Sequence, residues 1–137
     1  MLTRIIVMLL LAFFSILELK AGELRVFTSK DSNINKLSIE TIRNLYLGRE
    51  KFVDSHLVRV ADCEKSQQAF LENYINKDKK SYTGLWRMMV FTGKARAPKF
   101  FEKPTSLADY VAQNKNTIAY TTEKVDLTRF KVIEISH

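Results

Sequence analysis

The sequence predicts an α/β domain built on a mostly parallel sheet with helices on both faces. Three observations carry this. Short runs that alternate apolar and polar residues are interleaved with stretches of helical periodicity, the order expected of strand–helix–strand units. Tyr82, Leu85, Trp86, Met89 and Val90 fall at i, i+3, i+4, i+7 and i+8, one apolar face of a helix. The two prolines, Pro98 and Pro104, both lie in the loop after that helix, where they break no element.

The elements follow in order. Leu24–Thr28 alternates enough for a short strand. Ser38 is placed to cap a helix whose inner face carries Ile39, Ile42 and Tyr46, with Gly48 ending it. Leu57–Ala61 alternates again and reads as a second strand. Residues 62–66 turn the chain into a helix that offers Ala69, Phe70, Tyr74 and Ile75 for packing. The charged stretch Asn76–Lys80 is a solvated break before the Trp86 helix, which Thr92-Gly93 closes. Ser106 is placed to cap a short helix carrying Leu107, Tyr110 and Val111. Thr117–Thr121 and Lys131–Ile135 read as two last strands.

The first 21 residues have another character. Arg4 precedes Ile5–Leu17, a run of 13 residues without a charge, and Ala21-Gly22 offers small residues for cleavage. Such a run is short of the roughly 20 residues that span a bilayer. The expectation is a signal peptide over residues 1–21, periplasmic localisation and a single domain over residues 22–137; the alternative is a retained anchor. Arg4, Glu18 and Lys20 precede the cut, which takes the formal charge from +7 to +6. A basic exported chain suits phosphate, anionic head groups or an acidic partner, or simply has a soluble basic surface. Nucleic acid is not expected as a partner, nor a stable membrane span once the signal is cut.

Chemistry-bearing clusters are missing. Cys63 is the only cysteine, so no internal disulfide forms. It reads as a small buried residue or as the site of an intermolecular disulfide. His56 and His137 have no ligand spacing around them, and no paired carboxylates or activated nucleophile stand out. No enzyme activity, metal or cofactor is expected. Residues 91–101, FTGKARAPKFF, contain a Gly-Lys pair. A phosphate-cradling loop needs a glycine five residues earlier and a hydroxyl after the lysine; Met88 and Ala95 stand there.

Four pieces in order carry a resemblance: LSIETIRNLYLGRE, ADCEKSQQAFLENYI, YTGLWRMMVFTGKARAP and NKNTIAY. Together they resemble the phosphate-binding periplasmic proteins that serve phosphate uptake transporters, and in particular short one-lobe relatives. The similarity covers roughly residues 25–125. It implies a single lobe of the periplasmic binding protein-like fold, with FTG as a helix-ending turn in which Gly93 takes the left-handed conformation. Lys94, Arg96, Lys99 and Lys103 then form a positive patch beside the turn or a solvated loop.

The resemblance also implies an anion site at the N-terminus of the helix after the second strand, where the family has a Ser-Gly-Thr run. That run falls on Glu64-Lys65-Ser66, and only Ser66 matches. Lys65 adds a side chain where glycine allows close approach, and Glu64 adds negative charge, at a cost on the order of a kcal/mol for an anion. The family arginine upstream falls on Val60, and Lys115-Asn116 replaces Pro-Gly. Ser66 and Gln67 are the candidate anion-binding residues, with a plain helix cap as the other role for Ser66. Two functions follow: an accessory or interaction module of the cell envelope that docks another envelope protein, its anion site eroded, or a phosphate-binding component of an ABC-type uptake system.

Overall fold

A computed structural model describes residues 22–137. The expected signal peptide lies outside the described residues. β1 (Arg25–Ser29) and β2 (Lys36–Ser38) lead into α1 (Ile39–Tyr46). A hairpin follows, β3 (Phe52–Val53) and β4 (His56–Leu57), then β5 (Arg59–Cys63) and α2 (Glu64–Phe70). The chain continues through a π-helical turn, Leu71–Ile75, into α3 (Lys79–Phe91). β6 (Lys99–Phe101), α4 (Pro104–Gln113), β7 (Thr117–Thr121), β8 (Phe130–Val132) and β9 (Glu134–Ser136) complete it.

The main sheet has the order β6-β5-β7-β1-β8. β5 is parallel to β6 and to β7, whereas β1 runs antiparallel to both β7 and β8. The sheet is therefore mostly parallel, with β1 alone reversed. All five residues of β7 are buried, so both faces of the sheet are covered. Tyr120 of β7 stacks on Phe70 of α2 at 3.9 Å and meets Tyr46 of α1 at 5.9 Å between ring centroids. α4 lies across β1, β5, β6 and β7 and inserts Leu107 and Val111 into the core.

Helix ends follow local chemistry. Ser38 Oγ accepts from the Thr41 N–H, as its type and place predict. Gly48 has φ +73° and Gly93 φ +70°, both left-handed residues just beyond a helix. The helix expected to be capped by Ser106 is capped three residues earlier, at Lys103, and Pro104 occupies its first turn, where a missing N–H costs nothing. The inner stripe of α3 is narrower than the periodicity suggests. Tyr82 and Trp86 are buried, Leu85 and Met89 half-buried, and Val90 is exposed.

Two strands differ from expectation. The one read at Leu57–Ala61 lies at Arg59–Cys63, because His56-Leu57 pairs back onto Phe52-Val53. Asp54 and Ser55, both at positive φ, make that turn. The run Lys131–Ile135 is shared between two strands. Phe130–Val132 pairs with β1, and Glu134–Ser136 leaves the main sheet to pair parallel with β2. Cys63 is fully buried and closed to a partner thiol. No helix among the described residues is long and apolar enough to cross a membrane.

Candidate functional site

β5 and β7 run side by side only as far as Val60 and Ile118; beyond that point β5 pairs with β6 instead. From β5 the chain moves to β6 on one side, and from β7 it moves to β8 on the other. The C-terminal ends of β5 and β7 therefore flank a topological switch point, the place where open α/β sheets put ligands.

Side chains of the domain itself fill that crevice. At its base the Tyr46 hydroxyl lies 2.9 Å from the Ala61 carbonyl oxygen and 3.1 Å from that of Ile118, so it plugs the gap where the strands part. Next comes Asp62, which is buried. The Tyr120 hydroxyl donates to Asp62 Oδ1 at 2.6 Å and the Tyr82 hydroxyl donates to Oδ2 at 2.9 Å. Burial raises the Asp62 carboxyl to about 6, against the opposing pull of the Tyr120 and Tyr82 hydrogen bonds. Burial and the nearby Asp62 charge push both tyrosine hydroxyls well above the usual phenol range.

α2 starts at the mouth. Cys63, not Ser66, is its capping residue, and Ser66 lies within the first turn. Ser66 is buried; its Oγ accepts from the Thr122 N–H at 3.0 Å and lies 3.1 Å from Thr122 Oγ1. Lys65 reaches across to form an ion pair with Glu123. Both bridges join α2 to the segment leaving β7. Glu64 is exposed at the start of the helix. Gln67 is buried, and its Oε1 has no hydrogen-bond partner among the described residues. Ser66 and Gln67 are thus adjacent in the chain but belong to different surroundings, since Gln67 lines a groove on the α3 side.

That groove has a volume of about 660 Å³. Trp86, Val90 and Phe91 of α3 wall one side, and Pro98 and Phe100 the other, with the buried Asp62 and Gln67 also lining it. Lys79 and Arg87 add charge. Phe91 is 92% exposed. Of the basic residues expected in a loop, Lys99 belongs to β6 and Lys103 to the start of α4; only Lys94 and Arg96 stand in the connection.

The Asp62 cluster was not legible as a unit in the sequence. Tyr82 reads as part of an apolar helix face, Tyr120 only as a strand residue and Asp62 as a turn, because the members come from α3, β7 and β5. One signal was present: extending the alternation of Val58 and Val60 by one step reaches Asp62. Among the described residues no group of three His, Cys, Asp or Glu side chains is placed to hold a metal ion.

No protein-family model matches the sequence, and no curated protein matches it. Solved structures do match in fold. One, from Clostridium perfringens, is described as a phosphate ABC transporter substrate-binding protein with bound phosphate. It superposes with a TM-score of 0.62 at 15% identity, over 82% of this chain and 44% of its own. An ABC-type phosphate transport receptor from Vibrio cholerae gives 0.52 at 11% identity, over 82% and 45%. PstS from Borrelia burgdorferi gives 0.52 at 10% identity, over 82% and 46%. The chain spans less than half the length of each of these structures.

Proposed function

For a chain that shares its fold with part of the phosphate ABC transporter substrate-binding proteins, we propose the role of an exported, non-enzymatic interaction module of the cell envelope, a single lobe with an eroded anion site. The observation that carries this reading is the double bridge over the switch point. The Ser66 hydroxyl is committed to Thr122, and Lys65 is committed to Glu123. An anion entering there would displace both, meet Glu64 at the helix start, and still lie open to water on the side a second lobe would cover. Each of these lowers affinity.

The second reading is a phosphate-binding component of an ABC-type uptake system. Its specific support is the similar fold of the Clostridium perfringens protein solved with phosphate bound. Under that reading Ser66 and Gln67 hold the anion, aided by the positive end of the helix.

Calorimetric titration of the purified chain with inorganic phosphate, at low and moderate salt, separates the two. The interaction module binds no tighter than about millimolar, worth only about 4.1 kcal/mol. Micromolar one-to-one binding that disappears in Ser66→Ala would overturn the interaction reading and favour the phosphate binder instead.

A further inference from the structure

The groove between α3 and β6 shares Asp62 and Tyr82 with the crevice but opens on its far side, and it combines three features. Its walls are apolar and open: Phe91 is almost fully exposed, with Val90 and Phe100 about half exposed. Its polar lining is incomplete, because the buried Gln67 has an Oε1 with no donor among the described residues. Such an atom carries the full cost of its lost hydration until an N–H or O–H reaches it. Its margin is cationic. Lys79 and Arg87 line it, Lys94 and Arg96 precede the lining residues Ala97 and Pro98 in the chain, and none of the four forms an ion pair among the described residues. The one carboxylate lining the groove is Asp62, whose oxygens are both taken by tyrosines.

From these we infer that the α3–β6 groove is the docking site for an acidic segment of a partner protein, anchored by one large apolar side chain. The inference rests on the interaction role proposed above and names its surface. The anchor lies against Trp86 and Phe91, a flanking amide N–H satisfies Gln67, and carboxylates on either side of the anchor meet Arg87 and Arg96. β6 is the edge strand of the main sheet, so the groove opens beside unpaired backbone that an extended segment can follow. Charge complementarity selects an acidic occupant over a basic one.

Trp86 is the only tryptophan in the chain and lines the groove, so its fluorescence reports occupancy. The test pans the purified chain against a random dodecapeptide library and titrates the selected peptides by Trp86 emission. The expected result is enrichment of Asp and Glu around a bulky apolar residue. Binding should weaken about tenfold or more in Phe91→Ser and in Arg87→Glu, and fall with added salt. Both positions are exposed, and the near-ultraviolet circular dichroism of each variant verifies its fold. Four results would overturn the inference: no enrichment; selected peptides that bind both variants as well as the parent; a concentration-dependent dimer that Phe91→Ser abolishes, which assigns the groove to a second copy; and an emission shift with phosphatidylglycerol vesicles alone, which assigns it to a membrane. Any of these with phosphate still unbound refutes the groove but not the interaction role. Micromolar phosphate binding through Ser66 refutes that role whatever the groove holds.

Discussion

Gly48 and Trp86 are fitted to each other. A Cβ on Gly48 would stand 2.9 Å from Trp86 Cη2 and 2.6 Å from Met89 Cε. The glycine also sits at φ +73°, and the Trp86 indole N–H donates to the Tyr46 carbonyl two residues before it. The end of α1 is thereby clamped to the middle of α3. Gly48→Ala meets both a backbone and a packing penalty, with an expected loss of roughly 2–4 kcal/mol. Trp86→Ala should lose roughly 3–5 kcal/mol. Urea unfolding of both variants measures this, and a midpoint unchanged in either would show that the clamp is not formed.

Asp62 gives the domain an unusual pH response. Its carboxyl rises from 3.8 to about 6 on folding. The folded chain therefore retains a proton that the unfolded chain releases, and this contribution to stability falls as pH rises through that window. A difference of this size is worth roughly 3 kcal/mol. Asp78 and Asp126, held low chiefly by hydrogen bonds from Ser81 and Thr128, act in the opposite sense and lose stability as pH falls. Calorimetric melting between pH 4 and 7 should show the Asp62 decline in the parent and its absence in Asp62→Asn.

Ser66→Ala removes the acceptor of the Thr122 N–H. The expected cost is about 1 kcal/mol, typical of one partly buried hydrogen bond. Faster amide hydrogen exchange at Thr122 would accompany it. Unchanged exchange there would show that Ser66 does not hold this segment.

The double change Glu64→Ser with Lys65→Gly restores the family pattern at the start of α2. It removes one exposed ion pair, so the fold should survive with little loss. If the side chains are what weaken the site, phosphate affinity rises in calorimetry. If it remains immeasurable, these two side chains are not what limits the site.

Export is tested separately. Mass spectrometry of the chain from its host should find a new N-terminus between Ala21 and Glu23. A chain still starting at Met1 would remove the periplasmic role.

Where local chemistry decides an element, the sequence was legible. Thr117–Thr121 is a strand at both of its expected ends, and Ser38 and Gly48 bracket α1 as their types predict. Where partners decide, it was not. β6 reads as part of a basic loop, and only its pairing with β5 makes it a strand. The same holds for the split of Lys131–Ile135, which depends on β1 and β2 lying in different sheets. At the candidate site, the residue types at 64–66 were readable, but the bridges to Thr122 and Glu123 join segments far apart in the chain. Asn116 is an intermediate case. It stands where the resembled family has glycine and has a left-handed φ of +64°, which asparagine tolerates better than most residues.

The reversed strand β1 also sets the order in which the domain can assemble. It is the first strand of the described chain, yet its two sheet neighbours, β7 and β8, are among the last elements. A nascent chain that has produced β1, α1, β5 and α3 still has no partner for either edge of β1. Closure of the sheet waits for nearly the whole domain and must then pair the two ends of the chain, the kind of distant contact that slows folding. Until then β1 presents Val26 and Phe27 on an open strand, the segment most in need of protection from aggregation before the fold is complete.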